Sequence, residues 1–174
     1  MSDIISTPAS PASPVDSKVE ADGWFPAVDC NKLRDEIRLG ENIVQHKRLV
    51  AAIEGAMVHA FRQLVDWRAE RAGAGAATLA DVPDTMTIAG EEVPVTINGE
   101  PRAVILWDRI VRYYAAAELA DGYRDLIATD QQSQRSDERR ISADDYRRMA
   151  HNAVADLMSI GAAESVARNS VELI

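Results

Sequence analysis

The sequence predicts a mainly α protein: an antiparallel helical bundle of three long helices plus a short N-terminal one, with a β-hairpin-like loop insertion. Apolar residues recur at steps of three and four along three long segments, which is the period of an amphipathic helix. Between the first and second of these segments lies a stretch rich in proline, glycine and β-branched residues without that period. With 174 residues, 47% of them hydrophobic, the chain can bury a core as one domain.

Composition argues against several classes of protein. The formal net charge of −9 argues against a protein that grips nucleic acid or an anionic membrane, since both require basic surface. No apolar run approaches the roughly 18–20 residues that span a bilayer, and no basic region followed by an apolar core predicts a signal peptide. The single cysteine, Cys30, cannot form an internal disulfide, which fits a reducing cytoplasm. We interpret it as a small residue near a helix start rather than a nucleophile.

The first 21 residues predict a flexible N-terminal arm. They contain three Ser/Thr-Pro dipeptides and almost no large apolar side chains, so folding would not repay the entropy of ordering them. Residues 22–160 are expected to form the helical domain. Residues 161–174 are expected to form a C-terminal docking tail, because the chain ends on an apolar run that contains Val171, Leu173 and Ile174.

The helical domain begins with an aromatic pair and a short helix. Trp24 and Phe25 follow a glycine and are interpreted as an anchor for the start of the fold and as candidates for docking onto a partner. Asp29 is the predicted N-cap of a helix over Lys32–Leu39, which Gly40 would end.

A long helix is predicted from about Gln45 to Arg71. Its apolar stripe is widened by Ala56, Phe61 and Val65. His46 and His59 lie thirteen positions apart on it, too far for a helical metal pair. The main stripe consists of Leu49, Ile53, Met57, Ala60, Leu64 and Trp67.

The insertion over residues 73–101 carries two β-branched runs, Thr85–Ile88 and Val93–Ile97, on either side of Ala89-Gly90-Glu91-Glu92. This arrangement predicts a β-hairpin, in which Pro94 requires an edge strand. Asn98-Gly99 is a second turn signal. The insertion contains acidic side chains and neither lysine nor arginine, and a loop of this length is often functional.

Two further long helices are predicted over Arg102–Ala128 and, from a start between Ser133 and Ser142, to Ile160. The link between them is short, so they should pack on each other. The helix over Arg102–Ala128 is apolar around much of its circumference, so it should be buried on most sides, by its own domain or by a neighbouring subunit. Arginines near the start of the second alternate with acids and are interpreted as a solvated face rather than a nucleic-acid or partner patch.

Motifs of known catalytic chemistry are missing from the sequence. It has no phosphate-binding glycine loop, paired-cysteine metal motif, His-Glu-x-x-His helix or nucleophile-elbow serine. The acid pairs Asp81/Asp84 and Asp144/Asp145 have a spacing that is common by chance, and no calcium loop accompanies them. We therefore expect no enzyme, no cofactor and no metal, and a protein suited to assembly.

Several segments resemble, in order, the head completion protein (GPL) family of contractile-tailed bacteriophages. The resemblance runs from about residue 22 to the C-terminus and departs at 84–101, which is longer, and at 127–140. The matching segments are Asp22-Gly23-Trp24-Phe25-Pro26, Trp67-Arg68, Leu79-Ala80-Asp81-Val82-Pro83, Glu118-Leu119-Ala120-Asp121-Gly122-Tyr123-Arg124-Asp125, Ala143-Asp144-Asp145-Tyr146-Arg147-Arg148 and Ser170-Val171-Glu172-Leu173-Ile174.

The resemblance implies a structural virion protein of the head-to-tail neck, assembled in the host cytoplasm. Such a protein would form a ring of about twelve copies beneath the portal, stabilise the DNA-filled head and present a surface for the tail terminator or neck proteins. Packaged DNA would pass through without sequence-specific binding, and no membrane would be involved. On this hypothesis Asp84, Glu91, Glu92 and Glu100 line the channel and repel DNA.

Three alternatives stay open at this stage. A cytoplasmic helical assembly factor that never enters a particle would have the same composition. A different neck or tail completion protein would share the resemblance to a virion component. A small helical enzyme using an acidic pair is the third alternative, and a response to added metal would favour it.

Overall fold

The computed structural model describes residues 13–37, 44–127 and 141–161. Strands β1 (Lys18–Val19) and β2 (Val28–Asp29) precede helices α1 (Cys30–Glu36) and α2 (His46–Gly73), and a 3₁₀ turn spans Leu79–Asp81. Strands β3 to β6 and helices α3 and α4 follow. Their bounds are Thr85–Ile88, Glu91–Pro94, Thr96–Ile97, Glu100–Pro101, Arg102–Ile127 and Ala143–Met158.

The core lies between three long helices, as the periodicity predicts. α3 is central, because it packs extensively on both α2 and α4, which contact each other much less. All six residues of the predicted α2 stripe are buried. On α3 and α4, Trp107, Ile110, Val111 and Leu157 are at most 1% exposed. The mainly helical class with a β insertion is therefore confirmed.

Side-chain caps account for the starts of α1 and α4. The Asp29 carboxylate accepts hydrogen bonds from the backbone N–H groups of Asn31 and Lys32 and caps α1, as predicted. α1 ends at Glu36, earlier than predicted, because Ile37 is already extended; the predicted stop, Gly40, lies outside the described residues. Ser142 caps α4 in a reciprocal capping box with Asp145. The link over 129–133 also lies outside the described residues.

The N-terminal arm does not extend to residue 21. β1 pairs with β2 in antiparallel register, with Val19 opposite Val28, and both valines are buried. The Ser13 hydroxyl is buried and accepts hydrogen bonds from the Arg34 guanidinium, at 3.2 Å for the shorter contact. The expectation of a flexible arm was therefore wrong for residues 13–21, and residues 1–12 lie outside the described part of the chain.

Val65, one of the three residues predicted to widen the α2 stripe, lies on the other side of the helix. It is 57% exposed, whereas Leu64 and Trp67 beside it are buried. Val58, a full two turns earlier, is 48% exposed. α2 therefore carries apolar side chains on its outer face as well as on its core face.

Candidate assembly surface

Residues 85–101 form an exposed arm of two successive hairpins, here called the β-finger. β3 pairs with β4 through the two-residue turn Ala89-Gly90, and β5 pairs with β6 through Asn98-Gly99. Both residues of each turn have positive φ, 52° and 90° in the first and 53° and 82° in the second. This is the I′ geometry, whose twist matches that of the strands. The predicted hairpin and the second turn are thus confirmed, with Glu91 and Glu92 in a strand rather than in the loop.

The base of the β-finger is fixed to the start of α3. The Arg102 guanidinium donates to both carboxylate oxygens of Asp84, with nitrogen–oxygen distances of 2.8 and 2.6 Å. The Asp84 carbonyl accepts the Val95 N–H at 2.8 Å, and the Val95 carbonyl accepts the Arg102 N–H at 3.3 Å. A bidentate pair has a fixed orientation, so the β-finger projects from the helices at a set angle rather than from a loose loop.

The first hairpin has one apolar face and one polar face. Its register places Met86 opposite Val93, and side chains alternate along each strand, so Ile88 lies on the same face. We call these three residues the apolar finger face. Met86 is 46% exposed, Val93 38% and Ile88 53%. Every residue from 85 to 94 is exposed, so this face has no cover within the described chain.

The four acids predicted to line a channel are not equivalent. Glu91, opposite Ile88, lies on the apolar finger face, whereas Glu92, opposite Thr87, lies on the other face. Glu100 is exposed in the second hairpin. Asp84 is only 8% exposed at its side chain, and its charge is balanced by Arg102. The structure therefore leaves three of these acids open to solvent and removes Asp84 from that set.

The aromatic side chains predicted to dock onto a partner lie inside the chain's own core. Trp24 and Phe25 are 7% and 2% exposed and belong, with three other rings, to what we call the aromatic cluster. Phe25 stacks on Trp107 at a centroid distance of 4.3 Å. A partner cannot reach either ring on this fold, so the anchor role holds and the docking role does not. The cluster consists of Trp24, Phe25, Phe61, Trp67 and Trp107.

Each tryptophan of the aromatic cluster donates its Nε1–H to a distant backbone carbonyl. Trp24 donates to Ala76 at 3.1 Å, Trp67 to Ile160 at 3.3 Å and Trp107 to Pro26 at 3.0 Å. These bonds connect the N-terminal segment, the end of α2 and the end of α4. The cluster therefore fixes three separate parts of the chain against one another.

The segments that resemble the phage family meet at this cluster. The Asp22 carboxylate accepts the N–H groups of Trp24 and Phe25, each at 3.1 Å, and forms an ion pair with Arg68. The Leu79 N–H donates to the Trp24 carbonyl at 2.9 Å. Three motifs that lie far apart in sequence thus form one structural unit.

Two further family-like segments meet between α3 and α4. Arg147 pairs with Asp121 across the helices and with Asp144 on its own helix. Hydrogen bonds from Ser142 lower the pKa of the Asp145 carboxyl, which completes the capping box of α4. Burial raises the pKa of Tyr146, whose ring lies 6.5 Å from that of Tyr113. Arg147 and Arg148 are therefore salt-bridged as the sequence predicts, whereas Arg135, Arg139 and Arg140 lie outside the described residues.

A second exposed apolar surface lies on the outer face of α2. Val58 and Val65 occupy its middle, two turns apart, and Arg62 lies between them. Sequence periodicity assigned Val65 to the core and did not single out Val58, because a helix with two apolar faces has no unique buried stripe. We call this surface the outer stripe, which comprises Ala51, Val58, Arg62, Val65, Ala69 and Ala72.

Val171, Leu173 and Ile174, the predicted C-terminal docking residues, lie outside the described part of the chain. Within residues 13–37, 44–127 and 141–161, no group of three or more histidines, cysteines or acids could hold a metal ion. In the same residues no helix has both the length and the apolarity needed to cross a bilayer. The described residues expose two apolar surfaces, the apolar finger face and the outer stripe.

The described chain is a small, mainly helical protein with two exposed apolar surfaces, and the comparisons identify its family. The model of the phage head completion protein (GPL) family matches residues 19–174, and the chain belongs to that family. It is 30% identical over 132 residues to the head completion/stabilization protein of Escherichia phage P2, covering 76% of this chain and 72% of the relative. No solved structure gives a match. The resemblance seen in the sequence is therefore confirmed.

Proposed function

We propose that this protein is the head-to-tail connector of its phage, a ring of copies beneath the portal that stabilises the DNA-filled head and presents the tail attachment surface. Its family and the P2 relative are named for head completion, which is a structural task at the end of head assembly. The observation that carries the proposal is the pair of exposed apolar surfaces, the apolar finger face and the outer stripe. Exposed apolar patches often mark contact sites, and a ring subunit needs one contact surface for each of its two neighbours.

The proposed ring places different parts of the chain toward different partners. The C-terminal segment with Val171, Leu173 and Ile174 would dock onto the portal, since apolar chain ends gain from burial. Glu91, Glu92 and Glu100 supply exposed negative charge without nearby lysine or arginine on the same arm. Wherever this arm approaches the channel, that charge repels DNA and keeps it from binding during ejection.

The test is the native mass of the purified chain, alone and mixed with the portal of the same phage. The proposal predicts a complex with many copies of this chain for each portal ring. A chain that stays monomeric and does not bind the portal would contradict it. That result would favour a free assembly factor, and binding to tail proteins instead would favour a different neck or tail completion role.

A control separates specific binding to the portal from nonspecific binding. Heads that have lost DNA can be mixed with wild-type chain and with a variant that ends at residue 160. The proposal predicts that only the wild-type chain binds the portal vertex, because the variant lacks the docking tail. Equal binding by the two proteins would contradict the role given to Val171, Leu173 and Ile174.

A further inference from the structure

The apolar finger face is a contact surface with acidic surroundings. Its three apolar residues share that face with Glu91, and the insertion over 73–101 carries acids and neither lysine nor arginine. The Asp84–Arg102 pair fixes the base of the β-finger, so the face is presented in one orientation. A surface that is rigid, apolar and acidic fits a partner surface that is apolar with a positive charge near its centre.

The outer stripe has that character. Val58 and Val65 flank Arg62 at helical steps of four and three, and Ala51 and Ala72 extend the row by seven residues at each end. The row lies on the side of α2 opposite the buried stripe. Arg62 forms no ion pair with any described residue, unlike Arg68 and Arg71 further along the helix. Glu54 and Asp66 are exposed beside this row, and Arg62 is the cation between its two valines that an acidic finger face can pair with.

The two surfaces belong to one chain but do not cover each other. Ile88 and Val65 are each more than half exposed, so neither is buried by the fold. Two different surfaces that complement each other generate a head-to-tail contact between copies, and repetition of that contact closes a ring when the rotation fits. A reciprocal twofold dimer, in which each finger packs on the other copy's stripe, would use the same two surfaces but would stop at two copies.

We propose that the apolar finger face of one copy packs on the outer stripe of the next copy, with Glu91 pairing with the neighbour's Arg62. This inference deepens the proposed ring function and rests on it. Ile88 lies directly opposite Glu91 in the hairpin, and Val65 lies one turn from Arg62 on the helix. The Glu91–Arg62 pair therefore brings Ile88 of one copy against the row around Val65 of its neighbour.

Crosslinking tests this contact directly. Cys30 is fully buried, so introduced cysteines are the reactive thiols of the folded chain within its described residues. Ile88→Cys and Val65→Cys variants are mixed with a short bis-maleimide, with the portal present if the chain alone is monomeric. The proposal predicts a crosslinked dimer from the mixture and none from either variant alone. A variant that carries both cysteines should give a series of crosslinked oligomers of increasing size. Glu92→Cys, on the other finger face, is the matched control and should not crosslink to Val65→Cys.

A charge exchange gives an independent readout. Glu91→Arg and Arg62→Glu should each weaken association at least about tenfold, and the double variant should recover most of it. Glu92→Arg and Lys18→Glu carry the same charge changes at exposed positions away from the contact and should leave association within about twofold. Unchanged thermal unfolding of all variants shows that folding is not the cause.

The outcomes separate this inference from the proposed function. A ring that forms with the portal, without Ile88–Val65 crosslinks and without recovery in the double charge variant, overturns the inference and leaves the connector function standing. A chain that forms no oligomer, alone or with the portal, overturns both. A twofold dimer crosslinked through Ile88 alone also overturns the inference, because it requires the same face on both copies.

Discussion

The aromatic cluster buries its large side chains, whereas the β-finger exposes nearly all of its own. Phe25 and Trp107 are at most 2% exposed, while Ile88 is 53% exposed. The cluster takes rings from two of the segments that resemble the family and bonds to a third, and four of its five rings are buried in the fold. The difference teaches that the resemblance records how the fold is held together, and that the surfaces available to partners lie elsewhere.

Breaking the cluster should have the largest effect on stability. Phe25→Ala removes a buried ring between Trp24, Phe61 and Trp107, and we expect a loss of about 3–5 kcal/mol in the free energy of unfolding. The same truncation on the β-finger, Ile88→Ala, should change it by less than about 0.5 kcal/mol. Urea unfolding measures both. Equal losses in the two variants would contradict the division between a core cluster and an external arm.

The turn that supports the cluster should come next. Asp22→Ala removes the acceptor for two backbone N–H groups and the partner of Arg68, and we expect a cost of about 1–2 kcal/mol. Asp22→Asn keeps the side-chain oxygen and removes the charge, so it should cost about half as much or less. Urea midpoints rank the two variants, and equal losses would show that the ion pair with Arg68 outweighs the turn.

Loosening the base of the β-finger should affect the arm more than the core. Asp84→Ala leaves the Arg102 guanidinium without its bidentate partner, and we expect the global free energy of unfolding to fall by no more than about 1 kcal/mol. Amide exchange at Val95 should rise more strongly, because its N–H donates to the Asp84 carbonyl. Exchange rates in Phe25 and Trp107 are the internal control, and an equal rise there would contradict a local effect.

The smallest predicted effect lies at the hairpin turn. Ala89 has φ of 52°, a conformation that is unfavourable for a residue with a Cβ. Ala89→Gly should therefore raise the free energy of opening of the hairpin by about 0.5–1 kcal/mol, which slows amide exchange there. Hydrogen exchange at Ile88 and Glu91 measures this change. Ala80→Gly, at an exposed position in the 3₁₀ turn, is the comparison and should not protect them. Faster hairpin exchange in Ala89→Gly would contradict the turn assignment.

The elements that the sequence predicted well are those set by local chemistry. The α2 stripe, the Asp29 and Ser142 caps and the Asn98-Gly99 turn depend on residues close together in the chain. Their spacing is therefore sufficient to predict them.

The features that the sequence did not reveal depend on distant contacts or on two competing faces. Asp84 and Arg102 are eighteen positions apart, and no local pattern marks their pairing. The burial of Trp24 and Phe25 depends on α2 and α3, so the sequence predicts them as an anchor and equally as candidates for docking onto a partner. Val65 was placed in the core because α2 has apolar residues on both sides, and periodicity alone cannot select the side that packs.

The most direct test of the division between fold and assembly is the mass of the complex that an Ile88→Glu variant forms with the portal. The variant should keep the wild-type melting temperature, because Ile88 contacts no core, and should lose the complex with many copies for each portal ring. A wild-type complex from this variant would contradict the assembly role of the β-finger. A lowered melting temperature would show instead that the β-finger belongs to the folded core.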